Sequence, residues 1–201
     1  MGAERQMNRY FVGLLVSLGL CVCMAVRPVL AQGDDKRPVV VLDTSFGPIA
    51  IELDLEKAPI TAKNFLRYVD EGFYDNLIFH RVISDFMIQG GGFDSALREK
   101  SDGQHPKIKN ESGNGLSNLP GTIAMARTAD PNSAQNQFFI NVKDNSPLDT
   151  RGGGYAVFGK VIDGMDVVNK IRQVETSNQR GMGDVPVEPV IIKTARRKVK
   201  K

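Results

Sequence analysis

The chain has 201 residues, 41% of them hydrophobic, and a formal net charge of +3 at pH 7. Once an apolar N-terminal segment is set aside, this length provides one ordinary domain with a single sizeable core. Removal of residues 1–31 takes away three arginines and one glutamate and leaves 23 basic and 22 acidic side chains. This balance argues against nucleic acid as the main partner.

Residues 1–31 have the layout of a secretory signal peptide. Arg5 and Arg9 give a positive start, an almost unbroken apolar run covers 10–26, and a small residue precedes the expected cut before Gln32. We therefore predict export, to the periplasm. The alternative is an uncleaved membrane anchor through 10–26, since about 17 apolar residues reach the lower limit of a membrane span.

Both cysteines, Cys21 and Cys23, lie in this segment. An exported chain that has lost them must hold its fold by burial alone and has no thiol chemistry or thiolate metal site. Residues 32–38 are short, polar and charged, and we interpret them as a linker. The domain is predicted to cover 39–195, followed by a solvated basic tail at 196–201.

The domain alternates short β-rich runs with two helical segments. Residues 39–44 and 49–53 predict a hairpin, after which Thr61 can cap a first helix that ends at Gly72. A second helix is predicted over 164–174. Further strands are predicted over 77–83, 86–89, 121–126, 137–142, 156–162 and 190–195. This pattern predicts a mainly β fold, a closed antiparallel barrel with helices over its ends.

Residues 94–120 are polar, rich in glycine and without periodicity, and two interpretations stay open. Side-chain amides of 110–116 could hold this long loop against the barrel, or the loop could be a merely solvated excursion. Two glycine-rich runs, 90–92 and 151–154, lack the lysine and the spacing of a phosphate-binding loop. We interpret both runs as tight turns beside a binding pocket.

The stretch 78–92 carries most of the chemical information. It puts Arg81 beside a short apolar run with Phe86, Met87 and Gln89, without a nucleophile, a carboxylate pair or a metal cluster. A permanently charged fork of donors next to an apolar slot can bind a hydrophobic group and hydrogen-bond an amide without breaking a bond. This combination favours rotation of an amide over its hydrolysis.

Five segments resemble, in order, the signature blocks of cyclophilins, the cyclosporin-binding class of peptidyl-prolyl cis–trans isomerases. The segments are FHRVI at 79–83, FMIQGG at 86–91, IAMA at 123–126, QFFI at 137–140 and VFGKV at 157–161. The similarity runs over 39–193, and details at 109–111, 125–127 and 154–158 resemble the bacterial exported branch. The resemblance implies a closed eight-stranded antiparallel barrel capped by two α-helices, in agreement with the element count.

The resemblance also implies a proline pocket with Arg81 as the catalytic group. By the same resemblance, the substrate-binding residues are Phe86, Met87, Gln89, Ala126, Phe139, Leu148 and Tyr155. Without it, Met87 and Phe139 would be taken for core and Arg81 for a surface residue. Pro147 stands where cyclophilins usually have tryptophan or phenylalanine, and the chain has no tryptophan. We therefore predict retained turnover but weak cyclosporin binding.

We thus expect a monomeric isomerase that acts on proline-containing unfolded or partly folded chains as they are exported. No cofactor and no metal are expected, because His80 and His105 are isolated and are interpreted as a structural and a loop residue. Two alternatives remain open. A proline-binding module or holdase chaperone would keep the pocket but not need Arg81, and a membrane-tethered scaffold would keep 10–26 uncleaved.

Overall fold

The computed structural model describes residues 36–198, which form ten strands, two α-helices and two short 3-10 turns. The strands are β1 Val39–Thr44, β2 Gly47–Leu53, β3 Leu77–Ile83, β4 Met87–Asp94, β5 Thr122–Met125, β6 Phe138–Asn141, β7 Val157–Asp163, β8 Thr176–Gln179, β9 Met182–Pro186 and β10 Ile191–Arg197. The helices are α1 Pro59–Asp70 and α2 Met165–Ile171, and the 3-10 turns cover Ser146–Asp149 and Arg151–Gly153.

Eight of these strands close into an antiparallel barrel in the order β1-β10-β3-β4-β6-β5-β7-β2. Successive side chains of a strand point to opposite faces, so every second residue enters the barrel core. In β6, for example, Phe138 and Ile140 belong to the core, whereas Phe139 belongs to a separate apolar cluster. Helix α1 adds Phe65 to the core and α2 adds Val168. The predicted fold class is confirmed.

The start of α1 differs from the prediction. Thr61 lies inside the helix, which begins at Pro59, because proline suits the first helical position, where its missing N–H costs nothing. The free backbone donors of the first turn are instead satisfied from the long loop. The Glu111 carboxylate accepts hydrogen bonds from the N–H groups of Ile60 at 3.0 Å and Thr61 at 2.7 Å.

The long loop is attached to the barrel, as the first of the two interpretations proposed. The Asn110 side-chain amide donates to the carbonyl oxygens of Gly153 and Gly154, at 2.8 and 3.1 Å. The Asn114 amide donates to the Val157 carbonyl at 3.0 Å. These bonds tie the loop to the strand β7 and to the glycine-rich turn that precedes it.

The two glycine runs have different roles. Gly152, Gly153 and Gly154 all have positive φ and form the predicted tight turn. Residues 90–92, in contrast, lie inside β4, so the prediction of a turn there is wrong. These glycines let β4 pass close to its neighbours, because a Cβ on Gly92 would lie 2.6 Å from the Gln137 side chain.

The hairpin of β8 and β9 was not predicted. It forms a separate two-stranded sheet, and the four residues of β8 are polar and mostly exposed, so they show no apolar alternation.

The last strand, β10, is longer than predicted and continues past the expected strand end at 195. Arg196 and Arg197, which we predicted to belong to the basic tail, lie in β10, and Arg196 binds the Asp75 carboxylate.

Residues 1–35, with the predicted signal peptide and most of the predicted linker, lie outside the described residues, as do 199–201 of the tail. Within 36–198, no helix has the length and apolar character needed to cross a membrane.

Candidate active site

A β-bulge in β3 aims Arg81 at the outer face of the barrel. Phe79 pairs with Gly90 and Arg81 pairs with Gln89, so β3 uses one residue more than β4 at this point. The extra residue shifts the alternation of β3, because a bulge changes which face the following side chains occupy. As a result, Phe79 and Val82 both reach the core, and Arg81 lies on the face opposite to them.

A pocket of about 290 Å³ opens on this outer face. An apolar cluster separate from the barrel core forms its floor, with Met87, Phe139 and Leu148 buried and Phe86 and Tyr155 packed against them. All eight site residues predicted from the sequence line the pocket, together with two further arginines. The lining residues are Arg81, Phe86, Met87, Gln89, Ala126, Arg127, Phe139, Leu148, Arg151 and Tyr155.

The Arg81 side chain is 42% exposed. Its Nε–H donates to Oδ2 of Asp184 at 3.4 Å, and within 36–198 this is the one hydrogen bond of the guanidinium group. Both terminal nitrogens are therefore available to a bound peptide. Because a guanidinium is charged at every working pH and has a rigid planar fork, it offers donors in a fixed direction.

Polar groups for the peptide backbone lie beside the apolar floor. The Gln89 side-chain amide donates to Oε1 of Gln137 at 2.9 Å, which fixes its orientation at the pocket. The Ala126 N–H donates to the Gln137 carbonyl at 3.0 Å. Its carbonyl oxygen accepts no hydrogen bond from the part of the chain that the structure describes, so it can bind a ligand. The arrangement can therefore hold an extended peptide on both sides of an apolar residue.

The domain that contains this pocket matches a known protein family. The model of the family described as "Cyclophilin type peptidyl-prolyl cis-trans isomerase/CLD" matches residues 39–197, which is most of the chain. The chain is a cyclophilin. It is a peptidyl-prolyl cis–trans isomerase, and enzymes of this family act on proline-containing peptides.

Two bacterial relatives named as peptidyl-prolyl cis-trans isomerases match nearly all of this domain. Peptidyl-prolyl cis-trans isomerase A of Dickeya dadantii is 54% identical over 159 residues, which are 78% of this chain and 83% of the relative. Peptidyl-prolyl cis-trans isomerase B of Escherichia coli is 52% identical over 161 residues, 78% of this chain and 97% of the relative. A solved cyclophilin of Cryptosporidium parvum superposes with a TM-score of 0.69 at 28% identity, over 82% of this chain and 99% of that one.

Sequence reasoning missed the role of Arg127 at the rim of this cyclophilin. Its guanidinium lies 4.2 Å above the centre of the Tyr155 ring, a cation–π contact. It also donates to the carbonyl oxygens of Arg151, Gly152 and Gly154, at 3.2, 2.8 and 3.0 Å. Arg127 thus fixes both the glycine-rich turn and the rim tyrosine. The sequence signals for it were its place directly after Ala126 and its inclusion in the matching detail at 125–127.

Pro147 occupies the turn beside the pocket. It lies in the 3-10 turn Ser146–Asp149, and Leu148 after it is buried in the apolar cluster. The cyclophilin therefore keeps the pocket leucine, but the residue before it is a proline, whose ring has no hydrogen-bond donor. Weak binding of cyclosporin stays a prediction.

His80, the residue at the bulge, is buried next to Arg81, with 5% of its surface exposed. Burial lowers the pKa of His80 from 6.5 to about 4, and the charge of Arg81 acts in the same direction. The Ile78 backbone and the Gln137 side chain raise the pKa of His80, but they do not cancel this shift. His80 is therefore neutral at pH 7, and Arg81 is the charged member of the pair.

Proposed function

We propose that this cyclophilin accelerates rotation about Xaa-Pro bonds of exported chains, with Arg81 as the group that stabilises the twisted amide. The observation that carries the proposal is the open guanidinium fork of Arg81 beside the buried floor of Met87, Phe139 and Leu148. An apolar floor accepts the proline ring, and the fork provides donors next to it.

The physical reason lies in the amide itself. Resonance gives the peptide bond a rotational barrier of roughly 18–20 kcal/mol, and Xaa-Pro exchange takes on the order of tens to hundreds of seconds. In the twisted state the nitrogen lone pair is no longer delocalised. A donor aimed at that nitrogen gains a partner only there, so it stabilises the transition state more than either ground state.

The required lowering of the rotational barrier is larger than one residue can supply. Turnover of about 10–1000 per second needs a barrier lower by roughly 4–7 kcal/mol, at about 1.36 kcal/mol per tenfold in rate. One charge-assisted hydrogen bond supplies about 1.5–3 kcal/mol. The proline slot, the exclusion of water and the contacts of Gln89 and Ala126 with the peptide supply the remainder in this proposal.

Replacing Arg81 with alanine tests the mechanism. We expect kcat/KM for cis-to-trans exchange of a short Xaa-Pro peptide to fall by about 10- to 150-fold, the value of one charge-assisted hydrogen bond. Peptide binding through the apolar floor should be retained. The matched control is Arg67→Ala, because Arg67 is an exposed arginine of α1, far from the pocket lining, that pairs with Glu71 at 3.2 Å. Undiminished exchange by Arg81→Ala would contradict the proposal and favour a binding module.

Export is the second part of the proposal, and it is supported by the signal-peptide layout of 1–31. The full chain produced in a bacterial host should appear in the periplasmic fraction as a protein that begins at Gln32. The intact mass of that protein checks this. A membrane-bound product with the mass of the whole chain would instead support the anchor through 10–26.

A further inference from the structure

Asp184 contacts the guanidinium group of Arg81 from outside the pocket. It lies in β9, 103 positions after Arg81, and its Oδ2 accepts the hydrogen bond from Nε at 3.4 Å. The two side chains are similarly exposed, at 42% and 44%. β9 belongs to the hairpin outside the barrel, and it packs beside β3, the strand that carries Arg81.

The backbone of Asp184 has an uncommon conformation. Its φ is +60°, in the left-handed region, where glycine fits without strain and other residues do so at a cost. Such conformations in residues other than glycine persist where the surroundings hold them, and they concentrate at functional sites. Here the left-handed residue is the one whose carboxylate reaches Arg81.

We propose that Asp184 is a positioning residue that holds the fork of Arg81 towards the pocket. This inference rests on the proposed role of Arg81. A half-exposed arginine can adopt several rotamers, and a contact at Nε restricts the plane of the guanidinium while both terminal nitrogens stay available. An ion pair this exposed adds little to folding stability, so its effect should appear in the rate.

The decisive variant is Asp184→Gly, because glycine accepts the left-handed backbone and removes the side chain that carries the carboxylate. We expect kcat to fall by about 1.4- to 5-fold, the range of an exposed ion pair, with KM unchanged. The unfolding midpoint in urea should be equal to that of the parent protein or higher, because strain at residue 184 is relieved. Asp184→Asn, which keeps an acceptor for Nε but not the charge, should lie between the two in kcat.

A double-mutant cycle separates positioning from any general effect on the fold. In an Arg81→Ala background, Asp184→Gly should change the rate no further, because the residue it positions is gone. The matched control is Asp166→Asn in α2, which breaks another exposed pair, with Lys170 at 3.3 Å, and should leave kcat unchanged.

The rates of Asp184→Gly and Arg81→Ala test the positioning role of Asp184 and the catalytic role of Arg81 separately. A normal kcat in Asp184→Gly, or an equal loss with and without Arg81, overturns the positioning role while a slow Arg81→Ala variant still supports the catalytic one. Full activity of Arg81→Ala overturns both. A loss in kcat that appears only when Arg81 is present, with stability retained, supports the positioning role.

Discussion

An alanine at position 91 is expected to lower the free energy of unfolding by about 3 kcal/mol, the sum of a left-handed backbone and an overpacked core. Gly91 has φ +86°, and a Cβ there would lie 2.9 Å from Cε1 of Tyr74 and 3.0 Å from Cε1 of Phe138. Both rings are fully buried and meet edge to face, with centres 5.4 Å apart. Neither ring can yield without moving the core around it.

The consequence reaches the pocket because Gly91 shares β4 with Met87 and Gln89. Its carbonyl oxygen also accepts a hydrogen bond from the Asn136 amide at 2.6 Å, and a shift of this part of β4 would weaken that bond. We therefore expect the folded fraction of Gly91→Ala to have a lower kcat/KM for Xaa-Pro exchange as well as lower stability.

Urea unfolding of Gly91→Ala and Gly113→Ala separates the clash from the backbone cost. Gly113 has a similar φ of +78°, but a Cβ there would meet no atom within 4 Å. Its substitution should therefore cost only the backbone strain, about 1 kcal/mol. Equal losses of stability in the two variants would show that the rings accommodate the methyl group and would contradict the prediction.

The barrel was predictable because most of its strands show local signals. The run 77–83 is mostly apolar with three β-branched residues, and its observed bounds, Leu77–Ile83, agree with the prediction. Turn glycines such as Gly72, with φ +66°, mark where elements end. β8 gave no such signal, since Thr176–Gln179 is polar and mostly exposed, and it pairs with β9 across a turn at Arg180 and Gly181, both of which have positive φ.

The site was predictable only as far as contiguous motifs describe it. The segment 79–91 contains Arg81 and Gln89, and the pairing of its two strands makes these residues neighbours. Their arrangement therefore follows from one continuous stretch of sequence. Asp184 reaches Arg81 from 103 positions away, and Glu111 caps α1 from 50 positions away. Such contacts depend on the closed barrel, and no local pattern in the sequence encodes them.

Acidification from pH 7 to pH 4 is expected to remove about 3 kcal/mol of folding stability through His80 alone. The pKa of His80 is about 4 in the folded protein, against 6.5 for a solvated histidine, and desolvation is the main cause. Between these values the unfolded chain binds a proton that the folded protein does not. The stability is therefore complete above the unfolded pKa and falls as the pH decreases towards 4.

His80→Phe isolates this contribution, because a phenyl ring can pack on Phe93, whose ring centre lies 4.7 Å from that of His80, and cannot titrate. The free energy of unfolding in urea should be measured for both proteins at pH 7 and pH 4. Between these pH values the parent protein should lose about 3 kcal/mol more than His80→Phe. His105→Gln is the control and should retain the pH dependence that comes from His80.

A different outcome would contradict this prediction. If the parent protein and His80→Phe lost equal stability between pH 7 and pH 4, His80 would be hydrated in the folded state. In that case its charge at low pH would lie next to Arg81, and exchange activity would fall with protonation instead of with unfolding.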